Sequence, residues 1–426
     1  MKVAIHTNQF PVLSETFIID QVISLKKAGI DVVVFTQKLN NSIHQDKMKD
    51  IDINNDIIVI GSLKLKPSQI HIFMINILVN IVCYWKALIG ILFTKGKFRM
   101  KTCLLSELSK SNSYRNINVH ISHFGDVGIM TEWMKLVGKI EGDTLVYFHG
   151  ADMSNTKALE SLVPLYKKYL FSSTNKLLPI SDYWRNKLVS WGANPERVSV
   201  QHMGVNINLI PESTRKRRVF EDCINIIQVG RLIEKKAILD SIKAVIQFHR
   251  YFDVKFLIVG DGPLRKEAEF LIEENNASSY IKLIGEASHE AVSSMLSSSD
   301  VFLLPSVTAT NGDQEGIPVA LMEAMLHGLV VVSTYHSGIP ELVQDKINGF
   351  LVDEHSLDGI TEALSTIKNL SGCEIDMIRA NAINTIKEKF DSEDLSSTLI
   401  KHFLTKKIEV SNSAVSSQRD NIHGFK

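Results

Sequence analysis

The chain has 426 residues, with 47 Lys and Arg against 47 Asp and Glu, 45% apolar and 22% charged residues, and four cysteines. At about 150 residues per domain, that length calls for two large domains or three small ones, with ample material for buried cores. A formal net charge of zero removes the electrostatic basis for nucleic-acid binding, and the apolar content excludes a disordered chain, so any anion site must be local.

Residues 3–6 read as a strand entered almost directly from Met1, without the basic start, apolar run and small-residue cleavage site of a signal peptide, so a cytoplasmic protein is expected. Residues 15–28 follow as a helix closed by Gly29, and 31–36 as the next strand, which makes a β-α-β unit. Between strand and helix runs FPVLSETF, where Ser14 is placed to cap the helix and Glu15 falls in its first turn; both are also placed to face an acceptor. Strands at 57–60, 119–122, 144–149, 177–180 and 198–203 continue the pattern with helices between them. Such alternation points to a mostly parallel sheet covered on both faces.

Residues 70–93 break the pattern. This stretch carries a single charge, Lys86, and is flanked by Lys64 and Lys66 before it and Lys95, Lys97, Arg99 and Lys101 after it. Three readings stay open: a membrane span, against which Asn76, Asn80 and His71 argue; a surface helix or hairpin held to anionic lipid by its basic flanks; and a helix buried in the domain. Residues 208–222, with Pro211 and the cluster Arg215 to Arg218, lack apolar periodicity and read as a junction. Beyond it the alternation restarts with strands at 224–229, 254–259, 281–284, 301–304 and 330–333, and helices at 239–252, 264–274, 289–296, 318–327 and 357–370. The expected organisation is α/β, with two facing Rossmann-like domains at 1–208 and 209–390, a helix within 391–408 crossing back to the first, and a disordered tail at 409–426. A cleft between two such halves is the expected ligand site.

Asn311 to Gly328 is the richest stretch for chemistry. Pro318 is suited to the first helical turn and Gly328 to the position after the last, and the exposed N–H groups behind Gly316 make an anion site. Glu315 and Glu323 are eight residues apart; on a helix that step turns roughly 80° beyond two full turns and rises about 12 Å, so they reach separate parts of an extended ligand. Arg231 and Lys236 follow the strand 224–229 in a β-to-α loop, where two cations would balance a diphosphate. Gly260-Asp261-Gly262-Pro263 follows the next strand, but Arg265 stands where a dinucleotide fingerprint needs Gly, so NAD or FAD binding is not expected. His149, before Gly150-Ala151-Asp152, ends a strand in the first half and is placed to hydrogen-bond a sugar hydroxyl or move a proton. Asp50-Ile51-Asp52 has acidic metal-type spacing without a partner motif, and the dispersed Cys83, Cys103, Cys223 and Cys373 suggest neither disulfides nor zinc, so no metal site is expected.

Together these residues resemble the family-4 retaining glycosyltransferases of the GT-B fold, and the resemblance covers essentially the whole chain. The E-x7-E motif is Glu315 to Glu323. The G-R-L-x-x-K-K-G loop matches Gly230 to Lys236, with Ala237 in place of the last Gly. G-D-G-P matches Gly260 to Pro263, L-P-S matches Leu304 to Ser306, G-I-P-E-L-V matches Gly338 to Val343, and H-G matches His149-Gly150. FPVLSETF, H-G-A-D and H-M-G-V (His202 to Val205) resemble the exopolysaccharide branch, including colanic-acid-type transferases.

The resemblance implies that Arg231 and Lys236 clamp a nucleotide diphosphate, Glu323 holds ribose hydroxyls and Glu315 the donor sugar. Backbone N–H groups of Gly316, Ile317 and Val319 would meet sugar and distal phosphate, with the Gly260 turn beside them. His149 would line the side shared by acceptor and donor sugar. It also implies a metal-independent, cofactor-free, retaining transfer to a polysaccharide or lipid-linked oligosaccharide acceptor. Separately, the apolar stretch 70–93 with its basic flanks leads to an expected peripheral contact at the inner face of an anionic plasma membrane, and the zero net charge to no nucleic-acid partner. A GT-B nucleotide-sugar epimerase and a non-catalytic scaffold of a polysaccharide assembly complex are the alternatives.

Overall fold

The computed structural model describes residues 1–12, 15–40, 56–61, 70–92, 94, 98–110, 114–209 and 223–401. Ser14, Asp50-Ile51-Asp52, Lys64, Lys66, Lys95, Lys97, the Arg215 to Arg218 cluster and the tail 409–426 lie outside them.

The first sheet contains β1 (Lys2–Phe10), β2 (Asp31–Leu39), β3 (Ile57–Val59), β4 (Val119–His123), β5 (Asp143–Phe148) and β6 (Lys176–Pro179), in the order β3-β2-β1-β4-β5-β6. The second contains β7 (Cys223–Val229), β8 (Asp253–Val259), β9 (Ile281–Gly285), β10 (Val301–Leu303), β11 (Val330–Thr334) and β12 (Phe350–Val352), in the order β9-β8-β7-β10-β11-β12. Both are parallel throughout. Numbered from its own first strand, each sheet reads 3-2-1-4-5-6, the doubly wound order, whose ligand crevice opens at the carboxyl ends beside the first and fourth strands. The central strands are apolar along their whole length because helices cover both faces. Val330 to Val332 are all fully buried.

Several local expectations change. Residues 198–203 are not a strand: Ser199 N–H donates to Leu177 O and Gln201 N–H to Pro179 O along the edge of β6, but only Val198 bridges before the chain crosses to pair Val205 with Asp391. The helix expected at 318–327 runs Val319–Leu326, with Pro318 as its extended N-cap and Gly328, φ 76°, just past its end. Glu15 occupies the N-cap of helix Thr16–Lys27 instead of its first turn, and its side chain makes no capping hydrogen bond. Strand β12 and helices Gly372–Lys389 and Ser392–Leu399 complete the order. The last helix returns to the first sheet's side, where Leu399 is fully buried in that core and Glu393 lies 3.5 Å from Lys27.

Helix Ile70–Leu92, which kinks at Tyr84, is two-faced. Leu88 and Ile91 are buried in the first core, Asn76 donates to Ser109 O, and Asn80 donates to Leu108 O. The two asparagines thus satisfy carbonyls at the open C-terminus of helix Phe98–Leu108. Ile75, Leu78, Val79, Val82, Trp85, Ile89 and Leu92 are exposed, and at 100° per residue they share an arc of roughly 140° on the opposite side. Among the described residues, no helix is long and apolar enough to cross a membrane.

Candidate active site

The carboxyl ends of the two sheets face each other, and their loops touch. Gly150 has φ 112°, and a Cβ there would stand 3.2 Å from Gly316 N; a Cβ on Gly316 would meet His149 O at 2.8 Å and Ile180 Cδ1 at 2.4 Å. Backbone meets backbone at this point, so both positions require glycine. Around the contact, Ser154 Oγ donates to Asp313 Oδ1 (3.2 Å) and accepts from Gln314 N–H (3.1 Å), and Tyr183 O–H donates to Gln314 Oε1 (3.1 Å). Glu341 closes the other side. Its carboxylate accepts from the N–H groups of Asp182 (3.0 Å) and Tyr183 (3.1 Å), the positive start of helix Asp182–Ser190, and lies 3.1 Å from His202 Nε2.

Glu315 is the centre of the second half's contribution. It is buried in the loop before helix Val319–Leu326, and its backbone is fixed at both ends: its N–H donates to His336 Nε2 (3.0 Å) and its carbonyl accepts from Ser337 Oγ (2.7 Å). Because Nε2 of His336 accepts, Nδ1 carries the proton and donates to Glu354 (2.7 Å). Lys236 Nζ is 3.1 Å and Lys235 Nζ 3.8 Å from Glu315 Oε1. Burial acts to raise the Glu315 pKa, but Lys236 and Lys235 hold it below the ordinary carboxylate value. The Lys236 contact has ion-pair distance without hydrogen-bond direction, so Oε1 is a buried acceptor with no donor aligned to it.

The loop after β7 explains the Ala237 departure. Ala237 sits at φ 48°, ψ 42°, a left-handed conformation that costs a non-glycine residue about 1 kcal/mol, yet the turn is kept and delivers Lys236 to Glu315. Arg231, one residue beyond Gly230, is exposed and forms no hydrogen bond or ion pair with the described residues. Gly260 backs this loop so closely that a Cβ would stand 2.0 Å from Gly230 O. Glu323 lies in the second turn of helix Val319–Leu326, away from the Glu315 carboxylate, and sits 3.7 Å from His289 Nε2.

On the first half, His149 follows β5 and is packed among Phe17, Phe124, His123 and Tyr147. Burial, and then the neighbouring His123, push its pKa well below the usual histidine value, which makes it a neutral imidazole. Asp152 shapes its loop by accepting from the N–H groups of Gly125 (2.7 Å), His149 (2.9 Å) and Gly150 (3.1 Å). Burial pushes the Asp152 carboxyl up to about 7 against the pull of those donors. Glu15 likewise rises to about 7, through burial and then Asp126.

Arg231, Lys236, Gly260, Glu315, Gly316, Ile317, Val319 and Glu323 therefore stand on one wall, and His149 on the other. Sequence reasoning missed Lys235, His336 and Ser337, which hold Glu315, and Asp152, His123 and Glu341. Asp152 was visible within H-G-A-D and Glu341 within the Gly338 to Val343 match, but nothing local tells that their carboxylates collect backbone N–H groups.

The same two-sheet arrangement occurs in Alr3699/HepE from Anabaena, solved with UDP and glucose, at a TM-score of 0.68 and 16% identity over 94% of this chain and 98% of that one. It occurs also in sucrose-phosphate synthase from Thermosynechococcus elongatus, at 0.71 and 15% over 96% and 100%. With two doubly wound sheets opening on one cleft, the protein has the GT-B architecture. Residues 210–385 match the model of the glycosyl transferases group 1. The colanic acid biosynthesis glycosyltransferase WcaL of Salmonella typhimurium is 35% identical over 74% of this chain and 77% of that protein; the amylovoran biosynthesis glycosyltransferase AmsK of Erwinia amylovora is 32% identical over 89% and 92%. The chain belongs to the glycosyl transferases group 1 family and is a glycosyltransferase.

Proposed function

We propose that the protein transfers a sugar, with retention and without metal or cofactor, from a nucleoside-diphosphate sugar to a polysaccharide or lipid-linked oligosaccharide acceptor in exopolysaccharide synthesis. The observation that carries this reading is Glu315: an ionised, buried carboxylate with one oxygen short of a donor, flanked by Lys235 and Lys236 and set just before a helix N-terminus. A sugar hydroxyl answers the first feature and a diphosphate the second. In this reading Lys236 and Arg231 offset the charge that develops on the diphosphate as the anomeric C–O bond breaks. Backbone N–H groups of Gly316, Ile317 and Val319 receive the distal phosphate, Gly260 lets the loop approach, and Glu323 binds the ribose. The acceptor oxygen bonds to the anomeric carbon from the face the phosphate leaves, and the leaving phosphate oxygen takes the acceptor's proton. His149, as a neutral imidazole, lines the donor-sugar side, and Glu15 lies on the acceptor side. The names of WcaL and AmsK support the acceptor class.

A panel of nucleotide sugars, scored by nucleotide release with and without glycan acceptors and by the anomeric configuration of the product, tests this. One donor releasing nucleotide in step with a retained glycosidic product is expected. An inverted product, a donor epimerised without acceptor, or binding without turnover would each overturn it.

Peripheral membrane contact belongs to the same reading. The exposed arc from Ile75 to Leu92 carries Lys86, whose Nζ lies 5.6 Å from the centre of the Trp85 ring, a pairing suited to the lipid interface. Leu78 and Val82 are exposed, so Leu78→Glu with Val82→Glu should spare the fold. We expect this double variant to lose at least tenfold in partitioning to phosphatidylglycerol vesicles, measured by co-sedimentation. Unchanged partitioning would sink the membrane contact.

A further inference from the structure

Behind His149 runs a line of hydrogen bonds that the family motifs do not name. His123 Nδ1 lies 3.0 Å from His149 Nε2, His123 Nε2 lies 2.8 Å from Gln21 Oε1, and Gln21 Nε2 donates to the Tyr147 hydroxyl at 3.1 Å. Gln21 and His123 are buried, on helix Thr16–Lys27 and at the end of β4. A carbonyl oxygen only accepts, so His123 Nε2 carries a proton. A neutral imidazole has one proton, so His123 Nδ1 must accept, and the proton between the two rings belongs to His149 Nε2. His149 Nδ1 is then a bare lone pair. It has no partner among the described residues, and it is not among the sealed, unpartnered atoms of the interior. Burial holds both rings neutral, the His123 pKa falling to about 3, so the one-proton bookkeeping applies at neutral pH.

We infer that Gln21 is a positioning residue that sets the tautomer of His149 through His123, so that His149 Nδ1 meets the ligand as a hydrogen-bond acceptor and selects a hydroxyl. The inference rests on reading the cleft as a sugar-nucleotide site. The orientation of one amide decides the whole line: turning Gln21 over would present N–H to His123, reverse both rings and give His149 an Nδ1–H, which donates to any ligand oxygen and no longer selects a hydroxyl over an oxygen that only accepts. The Tyr147 hydroxyl, which both donates and accepts, completes the amide's contacts in either orientation, so the direction of the line is carried by Gln21 Oε1 facing His123. Phe17 and Tyr147 stack on the two imidazoles and keep the rings in plane with this chain of protons.

Long-range ¹⁵N–¹H spectra of histidine-labelled, ligand-free protein read the tautomer without any assay of activity. Wild type should show His149 protonated at Nε2 and bare at Nδ1. Gln21→Leu should give a mixture of tautomers and raise KM for the donor by on the order of tenfold, the worth of about one hydrogen bond, with a smaller change in kcat. Gln21→Glu keeps an acceptor toward His123 and should restore both the tautomer and KM. A wild-type His149 protonated at Nδ1 overturns the inference outright, as does an unchanged tautomer in Gln21→Leu. Should Gln21→Leu fail to fold, the wild-type and Gln21→Glu spectra still decide. The transferase reading fails separately, on the donor panel.

Discussion

Lys236→Ala is expected to lower nucleotide release from the donor by a factor of about 10²–10³ and to cost the fold roughly 2–3 kcal/mol. Both effects come from one position. Lys236 Nζ is the cation nearest the buried Glu315 carboxylate, at 3.1 Å, with Lys235 next at 3.8 Å and already engaged by Asp313 at 3.2 Å. Removing it leaves a largely uncompensated charge in a dry loop, softened by Lys235, and removes a positive group for the departing diphosphate. Glu315→Gln, which keeps the shape and loses the charge, should be less destabilising. The double variant should be more stable than Lys236→Ala alone, because no orphaned charge remains. Urea denaturation of the three variants alongside donor turnover measures this. Near wild-type turnover in Lys236→Ala would remove Lys236 from the donor site.

Gly316→Ala is expected to reduce kcat/KM for transfer by about 10²-fold while leaving nucleotide affinity within a few-fold of wild type. The new methyl group would sit 2.8 Å from His149 O, a backbone atom that cannot rotate away, and 2.4 Å from Ile180 Cδ1. Either the loop bearing Glu315 or the His149–Gly150 turn must withdraw, and a shift of this kind separates donor sugar from acceptor. The Arg231 loop and Glu323, which hold the diphosphate and ribose in the proposed reading, are carried by the second sheet away from the clash, so the nucleotide keeps most of its contacts whichever part withdraws. Calorimetric titration of the nucleotide beside steady-state kinetics separates the two effects. An unchanged kcat/KM would mean that the close approach of the two loops is not used in transfer.

Much of the fold is legible in the chain because its causes are local. Period-two and period-3.6 apolar patterns, Gly29 and Gly328 after helices, and Val-rich runs such as 330–332 state strand and helix without reference to anything distant. Residues 198–203 defeat this reasoning: their apolar alternation is that of a strand, and they do lie along the β6 edge, but the ladder stops because the chain must leave for the other half. Helix Ile70–Leu92 is a second case. Its composition admits three environments, and which side is covered depends on helix Phe98–Leu108 and its unpaired carbonyls, which no window over 70–92 contains.

What the sequence by itself determined was the alternation that builds two parallel sheets and the residue types gathered at their carboxyl ends: Glu315, Arg231, Lys236 and His149. Those follow from backbone periodicity, turn chemistry and the rule that ligands sit where strands end. Only the tertiary structure decided which of them touch. Lys235 reaches Glu315 across 80 positions, Gln21 meets His123 across 102, Ser154 meets Asp313 across 159, and Glu341 caps a helix 159 positions earlier. Such pairings depend on how two sheets are set against each other, a property of the packed whole. The charge state of Glu315 and the proton position on His149 are set by those neighbours and by burial, and so they appear only once the chain has folded.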